Sequence, residues 1–465
     1  LLLVGERYHL RHSRDATKTW FGEKVKPPTK ECSRVIKVSM RIGIVGTGIS
    51  GLVCARLLNR ENDISVFEAG SYIGGHTHTI DVQEGTGTRP VDTGFIVFNE
   101  KTYPNLVEIF DRLGVESRES NMSFSVFNPD SGFEYNATDL KGLLARPSNL
   151  LRKRFWNMIR GILRFYKMAP ELLGTLDADV TLGTWLDENR FPKAFIDDHL
   201  MPMASAVWST PLDQIRDYPL LSLIRFFDNH GFLQLSDRPV WRTVVGGSSA
   251  YIDPMTAPFR DKIRLNCPVQ SINRSCAEVL LTTASGEEHI FDRVILACHG
   301  DQALRLLGDS TEKETEILSC FRYSTNPTTL HHDSRWLPSA PKARAAWNVR
   351  TSDHHQDIQV NYWMNSLQGF NDAPVDYVVT LNDQSVGTDV QIDPDCIIAK
   401  MVYEHPLFNN SAISAQNRHH EIDGIAGVHF CGAYWANGFH EDGVTSALRV
   451  AKKFNRNLEE FSHGI

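Results

Sequence analysis

The chain has 465 residues, enough for two or three domains at roughly 150 residues each. Hydrophobic residues make up 42% and charged residues 22%, the balance of a globular protein able to bury a large core without staples. A net charge of −8 argues against a nucleic-acid partner held by overall positive charge. The eight cysteines include no CxxC pair, which argues against a zinc ribbon or a thioredoxin-like centre.

Residues 1–39 carry nine Lys/Arg against four Asp/Glu and show no apolar core of a secretory signal. They are expected to be a disordered leader outside the fold. At Met40 the pattern changes. Residues 41–45 form a short apolar strand, 46–51 a glycine turn, 50–59 a helix, and 64–67 a second strand closed by Glu68. This is a βαβ unit of about 30 residues. From 105 to 235 the chain reads mostly helical, with candidates at 103–113, 149–168, 193–203 and 219–229. Strands return after Gly247. Those at 263–265, 269–272, 279–282 and 290–291 look like a small antiparallel set, followed by a buried strand at 293–297. Further strands are expected at 358–364, 377–381 and 428–431, then a last helix over 443–456.

The expected class is α/β: a discontinuous Rossmann-like domain over 40–105, 236–305 and 420–456, with a second α+β substrate domain over 106–235 and 306–419. Residues 457–465 are a tail.

Gly46, Gly48 and Gly51 fit G-x-G-x-x-G between a strand and a helix. Gly46 permits the turn, Gly48 lets backbone approach a pyrophosphate, and Gly51 lets the helix pack on the strand. The helix N-terminus, opening at Ser50, presents N–H groups and a positive dipole end to phosphate. Glu68 stands where a carboxylate grips ribose hydroxyls. A second pair, Gly74 and Gly75, then His76, suits another loop passing close to the same cofactor, and so points to FAD rather than NAD.

With these pieces in place the chain resembles the flavin-dependent amine oxidase superfamily. The matching stretches are GIVGTGISGL at 43–52, Glu68, GGH at 74–76, VDTGF at 91–95 and HFCGAYWANGFHEDGVTSALRVA at 429–451. Fragments such as FIVFNEKTYPNL at 95–106, YWMN at 362–365 and GFHEDG at 438–443 resemble a narrower subgroup. It comprises the flavoprotein domain that precedes the methyltransferase in plant cyclopropane fatty acid synthases, and similar stand-alone NAD/FAD-binding proteins. The resemblance implies non-covalent FAD. It places Gly46, Gly48, Ser50 and Gly51 at the pyrophosphate and Glu68 at the ribose. Gly74, Gly75, His76 and Gly94 would lie beside pyrophosphate and flavin, and Val269 would meet the adenine through its backbone. Gly432 and Ala433 would lie near the ribitol stretch, and Asp442, Gly443 and Val444 near the flavin. Two positions depart from the family: Ala433 stands where many members carry an acid, and His76 where many carry Arg. The residues after 456 are too few for a methyltransferase domain, so this chain alone is not expected to cyclopropanate.

Reduction of a flavin places negative charge that a helix N-terminus can stabilise. The helix expected at Gly443 would do so, with Asp442 as its N-cap or as a catalytic group. His440 and Glu441 would move protons near the ring, or lie on a surface turn. Tyr434 and Trp435 would wall the substrate pocket, or sit in the core. The histidine pairs His331–His332, His354–His355 and His419–His420 lack metal-ligand spacing, so no metal is expected.

Residues 146–168 hold seven Lys/Arg and no acid. Leu151, Phe155, Met158, Ile159, Ile162 and Tyr166 recur at helical spacing, with Lys153, Arg160, Arg164 and Lys167 largely elsewhere. Such a segment either touches an anionic membrane surface or packs an apolar stripe into a core. The combined expectation is a cytoplasmic FAD-dependent oxidoreductase, peripheral to a membrane under the first of these two readings. It would act on a hydrophobic or lipid substrate, with an amine oxidase or a flavin-containing partner of a lipid methyltransferase as the alternatives.

Overall fold

The computed structural model describes residues 39–174, 180–208, 212–234, 239–352, 359–382 and 391–461. The leader expected over 1–39, apart from Ser39, lies outside the described residues, as do His354, His355 and residues 462–465 of the tail.

Five strands form a parallel sheet in the order Ile263–Arg264, Asp63–Phe67, Arg41–Val45, Arg293–Leu296, Val428–Phe430. Alternation along each strand fills two cores. Ile42, Ile44, Ile64, Val66 and Ile295 point to one face, where they meet the helices Ile49–Leu58 and His440–Lys453. Val45, Phe67, Val294, Leu296, Val428 and Phe430 point to the other, which is covered by an antiparallel meander (Val269–Arg274, Val279–Thr283, Glu288–Phe291) and the helices Gly300–Leu306 and Glu312–Leu318. The meander sits close: a Cβ on Gly43 would fall 2.8 Å from the Phe291 ring. Because all five strands run the same way, their carboxyl ends share one edge, the edge at which open α/β sheets bind ligands.

The antiparallel set expected from Ile263 onward holds for three of its four members. Ile263–Arg264 instead pairs in parallel with Val66 and Phe67 and extends the large sheet. Asn266, at φ 51°, and Pro268 turn the chain before the meander begins.

A second sheet of seven strands has the order Ile397–Leu407, Arg322–His331, Val378–Leu381, Gln359–Trp363, Trp347–Arg350, Phe124–Asn128, Phe133–Asn136. Its last two strands lie within the stretch expected to be helical. They form a hairpin across Pro129-Asp-Ser-Gly132, with Gly132 at φ 64°, and Phe124–Asn128 docks in parallel on Trp347–Arg350. Turn chemistry and pairing with a distant strand outweigh local helix preference here. Ser117–Ser120 is likewise a strand, paired with Trp241–Val244.

The longer helices of that region are Pro104–Leu113, Lys153–Met168, Leu182–Glu188, Met201–Trp208 and Leu220–Asn229. In Lys153–Met168 the residues Phe155, Met158, Gly161 and Phe165 are buried. Leu151, expected on the same apolar stripe, belongs to the preceding turn Pro147–Leu151 and is 90% exposed. The final helix starts at His440, three residues earlier than expected, and stops at Lys453, where Asn455 at φ 57° turns the chain away. No helix of the described residues is long and apolar enough to cross a membrane.

Candidate active site

The three glycines of the first loop do three different jobs. Gly46 has φ 106°, and a Cβ there would sit 2.7 Å from the Ala297 carbonyl oxygen. A Cβ on Gly51 would fall 2.0 Å from the Gly46 carbonyl oxygen, so this glycine sets the approach of helix to turn. Gly48 differs. Its φ is an ordinary −62°, and a Cβ on it would meet nothing within 4 Å. The space over Gly48 is open, and the helix it introduces has no side-chain cap, so its first N–H groups face that space unclaimed.

Glu68 follows the second strand of the unit. Its Oε2 accepts from the Thr47 backbone N–H at 2.9 Å and from the Thr47 hydroxyl at 2.6 Å, and its Oε1 accepts from the Gly70 N–H at 2.8 Å. A carboxylate offers about four acceptor sites, so capacity for a sugar hydroxyl remains. The Gly74 N–H donates to the Thr47 hydroxyl at 3.3 Å. Gly75, at φ 60°, brings the second loop so near the first that its Cβ would lie 3.3 Å from the Gly48 Cα. Gly94 is pressed on the same loop: a Cβ there would fall 2.2 Å from the His76 carbonyl oxygen.

These loops form one end of a cavity of about 960 Å³, at the upper end of small-molecule sites. Gly46, Gly48, Ser50, Glu68, Gly74, Gly75, His76, Gly94, Val269, Gly432, Ala433, Tyr434 and His440 all line it. Gly51 does not. It acts through helix packing, one of the two roles read for it, and not at the pyrophosphate, where the resemblance places it: its Cα faces the Gly46 carbonyl and not the cavity.

Several expected residues serve elsewhere. Glu441 caps another helix: its carboxylate accepts from Asn105 Nδ2 at 2.6 Å, the Asn105 N–H at 3.2 Å and the Leu106 N–H at 3.0 Å. It holds the start of Pro104–Leu113 and lines no part of the main cavity, which corrects its reading as a proton carrier there. Asp442 is the third residue of its helix, not the N-cap. It accepts from the Phe439 N–H at 2.9 Å and the Asn437 N–H at 3.2 Å, and burial pushes its carboxyl up to about 7. Gly443 and Val444 pack helix on helix. A Cβ on Gly443 would lie 2.7 Å from Ile49 Cγ2, its carbonyl accepts from the Ser50 hydroxyl at 3.0 Å, and Val444 is wholly buried. Trp435 packs against Phe321 and His419 in the core rather than walling the cavity.

Four imidazoles ring the cavity: His76, His299, His405 and His440. His440 Nε2 and the Thr77 hydroxyl share a hydrogen bond of 3.0 Å, and Tyr251 reaches that hydroxyl at 2.5 Å. The His440 ring stacks on Phe95 with centroids 3.7 Å apart. Burial, with His76 nearby, pushes His440 down to about 3. Burial also takes His76 and His299 to about 4 and His405 to about 3. All four are therefore neutral near pH 7 and offer one N–H donor each. His299 and His405 escaped the sequence reading. His299 follows the strand Arg293–Leu296 at the carboxyl edge, and that position was the available signal. His405 arrives only by the pairing of Ser324 with His405 in the second sheet.

Among the described residues no His, Cys, Asp and Glu cluster could hold a metal ion. His331 is taken up by Thr380 and the Asp333 N–H, and His419 by the Phe430 carbonyl.

The residues present fit FAD. The open space over Gly48, the uncapped helix and Glu68 suit a dinucleotide. The His76 and Tyr434 side chains line the same cavity beyond these loops. The model of the family described as flavin containing amine oxidoreductase matches residues 49–333, more than half of the chain. Among solved structures, a redesigned putrescine oxidase is similar at a TM-score of 0.64 and 15% identity, covering 90% of this chain and 99% of that one. Cyclohexylamine oxidase from Brevibacterium oxydans has a TM-score of 0.63 and 17% identity, covering 90% and 100%. A CLA-producing fatty acid isomerase from P. acnes has a TM-score of 0.61 and 15% identity, covering 89% and 98%. At such identities the likeness is one of fold. No curated protein matches the chain significantly. The chain belongs to the flavin-containing amine oxidoreductase family and is an FAD-dependent oxidoreductase.

Proposed function

We propose that the substrate is hydrophobic and uncharged at its reacting part, and that an unsaturated or modified fatty acyl chain of a phospholipid fits best. The observation carrying this reading is the wall of the cavity away from the glycine loops. Met122, Val207, Trp208, Phe226, Phe232 and Leu381 line it. Apart from histidine, tyrosine and cysteine, the ionisable lining residues among the described ones are Glu68, Arg305 and Glu404. Glu68 is held by the first loop, and Glu404 Oε2 lies 3.2 Å from His299 Nδ1. Among the described residues of the apolar wall a cationic amine would find no free carboxylate, whereas an acyl chain loses apolar area to water-free contact there. The fragments that resemble the cyclopropane synthase flavoprotein domains, and the likeness in fold to a fatty acid isomerase, support the same substrate class.

Bound FAD supplies an acceptor for a hydride equivalent. The chain's own part is to exclude water, hold the substrate against that acceptor and manage a proton. Hydride transfer depends more on positioning than on a dedicated base. His440, kept neutral by burial and hydrogen-bonded through Nε2 to Thr77, offers a fixed imidazole at the cavity wall that can orient substrate.

Anaerobic bleaching of the flavin spectrum against a panel of lipids and amines tests this reading. Bleaching by unsaturated phospholipids and not by amines supports it. Bleaching by an amine, with hydrogen peroxide released in air, makes the protein an amine oxidase proper. Double-bond migration in the lipid without net bleaching assigns flavin-dependent isomerisation. Bound FAD without turnover, in a stable complex with a lipid methyltransferase, assigns a scaffold role.

A further inference from the structure

We infer that the segment Leu140–Met168 is a docking surface for a bilayer carrying anionic lipids. The inference does not depend on the substrate. Thirteen large apolar side chains are exposed among the described residues, and six of them, Leu140, Leu144, Leu150, Leu151, Trp156 and Leu163, fall within this one segment. The segment also holds eight Lys/Arg and no Asp/Glu, in a chain whose net charge is −8.

The two features interlock on one helix. In Lys153–Met168 the buried residues Phe155, Met158, Gly161 and Phe165 face the core, and a Cβ on Gly161 would fall 2.2 Å from the Phe195 Cβ, so that face is fully used. On the opposite side Trp156 and Leu163, seven residues apart, are 45% and 56% exposed. Lys153, Arg160 and Lys167, also at sevens, are exposed beside them. Residues seven apart drift only about 20° around a helix, so the result is an apolar row next to a cationic row. Trp156 Nε1 donates to the Leu150 carbonyl at 2.9 Å, which keeps the exposed Leu150 and Leu151 against the same helix end.

Core packing does not account for these residues, and neither does helix stability. Lys153 and Arg154 stand at the helix N-terminus, with no acid in the first turn, where positive charge opposes the macrodipole. Arg154 is met by Asp198 at 2.6 Å. Lys153 stays exposed. An anionic interface compensates such charge, while leucines and a tryptophan enter the acyl boundary, the arrangement of interfacial helices. The helix also packs on Lys193–Phe195 and the turn after it, which continue into Met201–Trp208, and there Val207 and Trp208 line the cavity.

Vesicle flotation of the FAD-loaded full chain tests the inference, using phosphatidylcholine vesicles with and without phosphatidylglycerol. Binding is expected only with phosphatidylglycerol and weaker at high salt. A variant with Lys153→Gln, Arg160→Gln and Lys167→Gln should lose on the order of a hundredfold in partitioning. A second with Leu151→Ser, Trp156→Ser and Leu163→Ser should also fail to float while retaining FAD and its melting temperature. A control with Arg60→Gln, Lys400→Gln and Lys452→Gln removes the same charge elsewhere and should bind like the parent. Three outcomes would overturn the inference: no flotation of the parent, equal flotation of all four proteins, or a parent dimer in sedimentation that the apolar variant dissolves without any vesicle binding.

Discussion

Thr47 and Glu68 are joined twice over: the Thr47 backbone N–H and its hydroxyl both donate to the one carboxylate oxygen, Oε2, at 2.9 and 2.6 Å. The acid is thus fixed by the loop that cradles the diphosphate, and the two halves of the cofactor grip are not independent. Glu68→Gln keeps the shape but removes the charge that strengthens these bonds and a further one to a ribose hydroxyl. Hydrogen bonds to charged groups contribute about 1.5–3 kcal/mol. Titration of apoprotein with FAD should therefore show a dissociation constant raised about 10- to 100-fold. Unchanged affinity would mean the carboxylate does not touch the cofactor.

Gly48 and Gly51 predict opposite phenotypes for one substitution. Gly51→Ala drives a methyl to within 2.0 Å of the Gly46 carbonyl oxygen, so folding itself is damaged, by about 1–3 kcal/mol or more. Gly48→Ala meets no protein atom within 4 Å and asks for no unusual φ, so the urea midpoint of the apoprotein should stay near that of the parent. Its methyl instead enters the cofactor space, and FAD binding should fall steeply. Comparing apoprotein stability with FAD content separates the two. A Gly48→Ala protein that binds FAD normally would place the cofactor elsewhere.

What the sequence carried was local. A strand, a turn, a helix and an acid within about 30 residues are written in consecutive residues, so Gly46, Gly48, Gly51 and Glu68 could be read with their roles. What it did not carry depended on partners far along the chain. Glu441 is spaced like a flavin neighbour, but the N–H groups it satisfies belong to Asn105 and Leu106, more than 300 residues earlier. His405 reaches the cavity because its strand pairs with one some 80 residues away. The hairpin Phe124–Asn128/Phe133–Asn136 looked helical because its docking strand, Trp347–Arg350, comes over 200 residues later. Leu151 fitted a helical stripe, and only the break at Arg152 puts it in solvent.

His440 should matter to rate more than to cofactor binding. Its ring is held by Phe95 and its Nε2 by Thr77, so its position is fixed before any substrate arrives. A pre-positioned hydrogen-bonding group beside the reacting atoms contributes typically about 10²–10³-fold. With a substrate that bleaches the flavin, His440→Gln should lower the anaerobic reduction rate by about that range while FAD affinity changes little. Thr77→Val, which leaves the imidazole but frees its Nε2, should give a smaller loss and a shifted pH profile. If His440→Gln reduces the flavin as fast as the parent, the ring is only part of the wall.

Acid should unfold the apoprotein early, and the buried imidazoles set the window. Burial holds His76, His230, His299 and His331 near 4 and His405 and His440 near 3, whereas unfolded histidine titrates near 6.5. Between about pH 6.5 and pH 4 the unfolded chain therefore binds protons that the folded one refuses, and stability falls as pH falls. Two carboxyls work the other way. Burial raises Asp92 to about 6 and Asp442 to about 7, so in the folded state they take up protons that the unfolded chain still lacks. Six imidazoles against two carboxyls leave up to four extra protons on the unfolded chain near pH 5, a slope of roughly 5 kcal/mol per pH unit at most. Urea midpoints of the apoprotein should be flat above about pH 7.5, drop clearly between pH 6.5 and pH 5, and drop less in a His405→Asn variant. Midpoints that hold steady down to pH 5 would show that these rings are already protonated, or wet, in the folded state.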